Sequence, residues 1–230
     1  MKKIQMFCLP YAGGNASFYY QFNKYLDEQI ELVPIELKGH GSRIMENTAT
    51  SMDELVDDAL SEILKYKEDL PYALFGYSMG TNICYELYHK LCEKIHQEPL
   101  HVFFAANTPP HDPEDERDCH TWSDEDFIKM LTSYGGVSKE MLEEKELWEI
   151  FIPILRADFQ AENEYVAQNV KKLNCDISVF YSEEDNKKNN MDEWEGYTQS
   201  VCRFYSYEGK HFFILDKVKD VVSIINETLK

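Results

Sequence analysis

The chain has 230 residues, 43% hydrophobic and 13% aromatic, enough apolar material to bury a large core, which excludes an intrinsically disordered chain. Its formal charge of −19 excludes a general electrostatic grip on nucleic acid or on an anionic membrane surface, because both would be repelled over most of the molecule. Six cysteines (Cys8, Cys84, Cys92, Cys119, Cys175 and Cys202) are scattered without a C-x-x-C pair in a chain too large to need stapling, which points to free thiols in a reducing, cytoplasmic setting.

In chain order, Met1-Lys2-Lys3 followed by Ile4 to Leu9 has the outline of a signal peptide. The apolar stretch is short, carries Gln5 and ends at Pro10 without a small-residue cleavage site, so a first strand is expected instead. No run approaches the roughly 18 apolar residues that a membrane span needs. Ala16 to Tyr25 reads as a helix and Ile30 to Leu37 as a second strand. Met52 to Tyr66 has the helical period, with Leu55, Val56, Ala59, Leu60, Ile63 and Leu64 apolar, and Ser51 with Glu54 forms a capping box ahead of it. Tyr72 to Phe75 is a strand, Thr81 to His96 a helix and His101 to Ala106 a strand. Ile177 to Tyr181 and Val201 to Tyr207 are further strands, and Lys217 to Leu229 is a closing helix. Strands alternating with helices at this spacing imply a single α/β domain over residues 1–230, with a mostly parallel sheet covered on both faces.

One region breaks the alternation. Residues 108–174 carry no strand signal: Thr108-Pro109-Pro110-His111-Asp112-Pro113 refuses a helix, and helical patterns follow around Asp124 to Tyr134, Met141 to Trp148 and Phe151 to Gln160. A helical insertion of that length is expected to be a lid over a pocket, or else an ordinary surface subdomain.

The chemistry centres on Gly76-Tyr77-Ser78-Met79-Gly80, a G-x-S-x-G between a strand and a helix, which is the context of a nucleophile elbow. Serine needs a base to take its proton and an acid to hold the base, in the order Ser, Asp or Glu, His. His211 lies in a loop between the last strand and the last helix, a position for the base that the other histidines lack. Asp185 follows a strand and is the candidate acid, with Glu183, Glu184 and Asp192 competing in the same acidic stretch. The oxyanion hole would combine the Met79 N–H at the helix start with the Ala12 N–H in Pro10-Tyr11-Ala12-Gly13-Gly14, a segment that also reads as a simple tight turn. No glycine-rich phosphate loop is present, and Cys119-His120 has no partner at metal-ligand spacing, so neither a bound cofactor nor a metal is expected.

Several motifs in order resemble the type II thioesterases, stand-alone α/β-hydrolases that accompany nonribosomal peptide and polyketide synthases. They are Leu9 to Gly14, Glu36 to Arg43, the elbow, His120 to Asp124, Gly135-Gly136, Pro153 to Phe159 and Gly209-Lys210-His211-Phe212-Phe213. The resemblance implies hydrolysis of acyl groups from the phosphopantetheine arm of acyl- or peptidyl-carrier domains by a monomer that needs no cofactor of its own. It assigns Ser78 as nucleophile, His211 as base, Asp185 as acid with Trp194 downstream, and the Ala12 and Met79 amides as the hole. A general carboxylesterase or acyltransferase acting on soluble esters or acyl-coenzyme A is the alternative of the same fold. Lys38-Gly39-His40 departs from a more usual Pro-Gly-Arg, Ser182 replaces a common glycine, and Ala106-Asn107-Thr108-Pro109-Pro110 replaces a basic segment. These departures are expected to alter the carrier-docking surface and leave the chemistry intact.

Overall fold

Alternate side chains along the strands face opposite ways, and here both ways are apolar. In the computed structural model, which describes residues 3–111, 118–135, 145–167, 169–185 and 190–230, β1 (Ile4–Leu9), β3 (Tyr72–Tyr77) and β4 (His101–Ala105) are buried along their whole length. With β2 (Ile30–Pro34), β5 (Asp176–Ser182) and β6 (Cys202–Tyr207) they form one six-stranded sheet in the order β2-β1-β3-β4-β5-β6. Every pairing is parallel, with registers such as Leu9 to Gly76 and Tyr77 to Ala105. Strands buried on both faces are what a parallel sheet between helical layers requires.

Phe7, Leu9, Leu74, Val102 and Phe104 point to one layer, where they meet α1 (Met52–Tyr66) and α2 (Met79–Ile95). Met6, Cys8, Ala73, Phe75, Phe103 and Phe180 point to the other, under α5 (Ile214–Thr228) and the segment Ala16–Lys24. That segment was expected to be helical and is, but it winds as a 3₁₀ helix. The buried residues explain this: Ala16, Tyr19 and Phe22 recur every third position, and only a three-residue turn stacks them on one side.

The second strand is shorter than expected. It ends at Pro34, which lacks an N–H for the ladder, although the Ile35 N–H still reaches the Cys8 carbonyl at 2.9 Å. At α1, Ser51 Oγ accepts the Glu54 N–H at 3.4 Å, while Glu54 reaches back to the Thr50 N–H at 3.1 Å rather than to Ser51. The cap forms, one residue wider than a capping box.

Between β4 and β5 the structure contains α3 (Asp124–Tyr134) and α4 (Lys145–Glu164), and no strand among the described residues. The two helices expected at 141–148 and 151–160 merge into α4 across Pro153, and positions 141–144 lie outside the described residues. Burial of Trp148 and Leu155 against Phe127, Met130 and Leu131 of α3 outweighs the missing proline N–H. Pro113 likewise lies outside the described residues.

Candidate active site

β3 ends at Tyr77 and α2 begins at Met79, so Ser78 alone reverses the chain. Its backbone takes φ 53 and ψ −121, a positive-φ conformation that an L residue avoids. Bare glycines make the turn possible. A Cβ on Gly76 would lie 2.2 Å from the Gly80 carbonyl oxygen, and one on Gly80 would lie 2.2 Å from the Leu9 carbonyl oxygen. The Ser78 N–H donates to the Ala105 carbonyl at 2.7 Å, and Thr81 Oγ1 donates to the Gly76 and Ala105 carbonyls at 3.2 and 3.1 Å.

His211, beyond β6, brings Nε2 to 3.0 Å from Ser78 Oγ and Nδ1 to 2.8 Å from Asp185 Oδ2. A carboxylate only accepts, so Nδ1 carries the hydrogen and Nε2 presents a lone pair to the serine hydroxyl. Tyr77 fixes the loop by donating its hydroxyl to the His211 carbonyl. Burial, with the Asp185 charge added, pushes the Tyr77 pKa well above its ordinary value, which keeps that donor protonated. Of the competing carboxylates, Glu183, Glu184 and Asp192 are exposed. Glu184 accepts the Gly209 N–H at 3.1 Å and so braces the histidine loop without touching the ring.

Ala12 and Met79 sit beside Ser78 in the wall of a pocket of about 220 Å³. Met79 is the first residue of α2, where backbone N–H groups have no helical acceptor. The Gly14 N–H donates to the Tyr11 carbonyl at 2.8 Å, so the tight turn read at this segment is real. Because the peptide is planar and trans, the Ala12 N–H points away from that carbonyl. Most of the remaining wall is apolar: Leu131 and Tyr134 come from α3, and Trp148, Phe151, Leu155 and Phe159 come from one face of α4, with Glu162 of the same helix the one carboxylate among the described lining residues. Burial pushes the Cys8 and Cys84 thiols well above the ordinary thiol pKa, so neither competes as a nucleophile.

A family model described as a thioesterase domain matches residues 4–229. The chain belongs to the thioesterase family. It is 30% identical over 230 residues to the gramicidin S biosynthesis protein GrsT of Aneurinibacillus migulanus, covering 99% of this chain and 90% of that one. It is 29% identical over 225 residues to the human medium-chain S-acyl fatty acid synthase thioesterase, covering 94% and 83% of the two chains. Among solved structures, ClbQ from the colibactin NRPS/PKS pathway matches with a TM-score of 0.93 and 31% identity, over 99% of this chain and 97% of that one. The type II thioesterase BorB from the borrelidin biosynthetic cluster matches at 0.88 and 25% identity, over 99% and 93%. The α/β-hydrolase architecture expected from the sequence is the one this thioesterase adopts.

The three departures from the family motifs also make contacts in the interior of this thioesterase. Ser182 is 1% exposed and donates its hydroxyl to the Gly209 carbonyl, tying β5 to the histidine loop. Ala106 takes φ 56, and the turn it makes brings Asn107 Nδ2 to 3.0 Å from the Ser78 carbonyl and 2.9 Å from Glu162 Oε1. Trp194, fully buried, stacks on Phe104 at 4.5 Å and donates to the Asn107 carbonyl at 3.3 Å. His40 is buried against Asp158 of α4 at 2.8 Å, and Asp158 also accepts the Gly13 N–H at 2.6 Å. The sequence reading gave Asn107, Glu162 and Asp158 no role. The available signal was a carboxylate on the apolar face of a helix, Asp158 between Leu155 and Phe159.

Proposed function

We propose that the protein hydrolyses acyl groups held as thioesters on the phosphopantetheine arm of carrier-protein domains, clearing mis-primed or stalled nonribosomal peptide or polyketide synthases. The observation that carries this is the hydrogen-bonded series Ser78, His211, Asp185 at the floor of an apolar pocket, in a chain of the thioesterase family. GrsT belongs by name to gramicidin S biosynthesis, and ClbQ and BorB to NRPS/PKS and borrelidin pathways. The human relative acts by name on fatty acid synthase, which also favours a thioester substrate over a free ester.

In this reading Ser78 Oγ attacks the thioester carbonyl as His211 Nε2 takes its proton, and Asp185 stabilises the imidazolium. Negative charge gathers on the carbonyl oxygen and is met by the Ala12 and Met79 N–H groups. The C–S bond then breaks, the sulfur takes the proton back from His211, and an acyl-serine remains. Water attacks that ester by the same route, giving up its proton to His211 and releasing a carboxylic acid and free Ser78. Met79 contributes its amide, so its side chain is free to line the pocket. The chemistry needs no cofactor beyond the arm that the substrate brings, and a cytoplasmic monomer is in keeping with six cysteines scattered without a C-x-x-C pair.

A carrier domain loaded with a panel of acyl groups and weighed by mass spectrometry before and after exposure to the protein tests this. We expect loss of acyl mass from the arm, faster than hydrolysis of the matching acyl-coenzyme A or simple esters. Ser78→Ala should lower that turnover by up to about 10⁶-fold, since the serine, base and acid act as a unit. Ester hydrolysis outpacing carrier deacylation, or full turnover by Ser78→Ala, would refute the proposal.

A further inference from the structure

Asp158 is fully buried on α4, and its Oδ2 receives two donors, the Gly13 N–H at 2.6 Å and His40 Nε2 at 2.8 Å. His40 is 3% exposed, and its other nitrogen, Nδ1, lies 3.0 Å from the Lys38 carbonyl oxygen. A carbonyl only accepts, so Nδ1 carries a hydrogen. Oδ2, which already takes the Gly13 N–H, can accept from Nε2 as well, and the net upward shift of His40 favours an imidazolium facing an Asp158 carboxylate. Neither charge would persist in this interior without the other.

The surrounding charges are few. Glu36 and Lys38 belong to the same loop as His40, and Asp58 of α1 accepts the Lys38 N–H at 2.9 Å and holds Arg43 at 2.8 Å. Burial pulls the His40 pKa down, and the hydrogen bond and charge of Asp158, helped by the Lys38 carbonyl and Glu36, more than offset it, so the net direction is up.

What the pair grips is the loop that carries Ala12. Gly13 sits at φ 75, and a Cβ there would lie 2.4 Å from Leu155 Cδ2, so α4 presses directly on this loop. Of the two peptides flanking Ala12, the first is fixed by the Tyr11–Gly14 hydrogen bond and the second by Asp158. Neither Asp158 nor His40 borders the pocket that holds Ser78.

We propose that His40 and Asp158 are positioning residues for the oxyanion hole: the Asp158 carboxylate, kept ionised by the His40 imidazolium, locks the Gly13 N–H and thereby aims the Ala12 amide at the reacting carbonyl oxygen. This rests on the assignment of Ala12 to that hole. A raised histidine pKa means that the pair is fully formed below the unfolded imidazole value of about 6.5 and is lost as pH rises through the higher folded value. Loss of the His40 proton leaves a lone pair against the Asp158 carboxylate and releases the loop. The pair thus adds an alkaline falling limb to a rate whose rising limb comes from His211, which must be neutral to act as a base.

The test compares wild type, Asp158→Asn and His40→Gln in hydrolysis of the octanoyl thioester of N-acetylcysteamine across pH, in the rate at which a fluorophosphonate labels Ser78, and in melting temperature. Removing an oxyanion donor outright costs about 10²–10³-fold in kcat, so a misaimed donor should cost about 10–100-fold, with KM changed less than about threefold. Labelling should slow in parallel, because the phosphonyl oxygen occupies the same hole. The alkaline limb should vanish in His40→Gln, which is slow at every pH. Wild-type kcat and labelling rate in the variants, even with lowered melting temperature, would make the pair merely structural and overturn the proposal, as would retention of the alkaline limb in His40→Gln. Should Asp158→Asn fail to fold, His40→Gln decides alone. A wild type that is labelled but does not cleave the thioester overturns the functional reading, and the labelling rates then judge the positioning role by themselves.

Discussion

Ser78 holds its hydroxyl above the sheet only because its backbone accepts φ 53, and that conformation carries strain. Such strain costs about 1–3 kcal/mol at a non-glycine residue, and a glycine in the same place escapes it. Both Ser78→Ala and Ser78→Gly lack the hydroxyl, so comparing their melting curves isolates the backbone term. Ser78→Gly should melt higher than Ser78→Ala by roughly 2–12 °C, given about 2–4 °C per kcal/mol for a chain of this size. Equal melting temperatures would mean that the elbow is relaxed. Ser78 and His211 were legible because each lies in a motif whose spacing states its job. Asp185 was legible only as one of four carboxylates, since an acidic loop looks the same whether or not it meets an imidazole. The second imidazole–carboxylate pair was not legible at all: His40 and Asp158 are 118 positions apart, and nothing local to either points to the other.

At the scale of elements, α4 is where sequence and structure diverge most. The pattern divides Met141 to Trp148 from Phe151 to Gln160, yet one helix runs from Lys145 to Glu164 through Pro153, because its buried face is set by neighbours distant in the sequence. The period itself was readable: Trp148, Phe151, Leu155 and Phe159 recur at three- and four-residue steps and all face the pocket. What the period could not say is that this face covers Ser78. Leu155 is 9% exposed, pressed against Gly13 on one side and the pocket on the other. Leu155→Ala should cost about 2–5 kcal/mol, as buried leucine truncations do, and should shift preference toward longer or bulkier acyl groups. The measurement is the ratio of kcat/KM for dodecanoyl over hexanoyl thioesters. A ratio unchanged by the substitution would mean that the acyl chain runs elsewhere.

Across the whole molecule, the carboxyl ends of the strands converge on one edge: loops after β1, β3, β5 and β6 bring Ala12, Ser78, Asp185 and His211 together. Parallel strands all end on the same side, so alternation in the sequence already implied a shared edge for residues far apart in the chain. Net charge was equally legible, and it governs how a large substrate arrives. At −19 the protein repels another acidic body at long range, and the carrier domains that the type II thioesterase resemblance implies are commonly acidic. Screening shortens that repulsion, with a Debye length falling from about 30 Å at 0.01 M salt to about 10 Å at 0.1 M. For a carrier-tethered substrate, kcat/KM should therefore rise with salt over this range. For the small N-acetylcysteamine thioester, which is uncharged, it should stay flat, because the local chemistry is buried and feels little screening. The difference between the two slopes isolates docking from catalysis. Were the carrier slope negative instead, a local basic patch rather than the global charge would be steering the encounter.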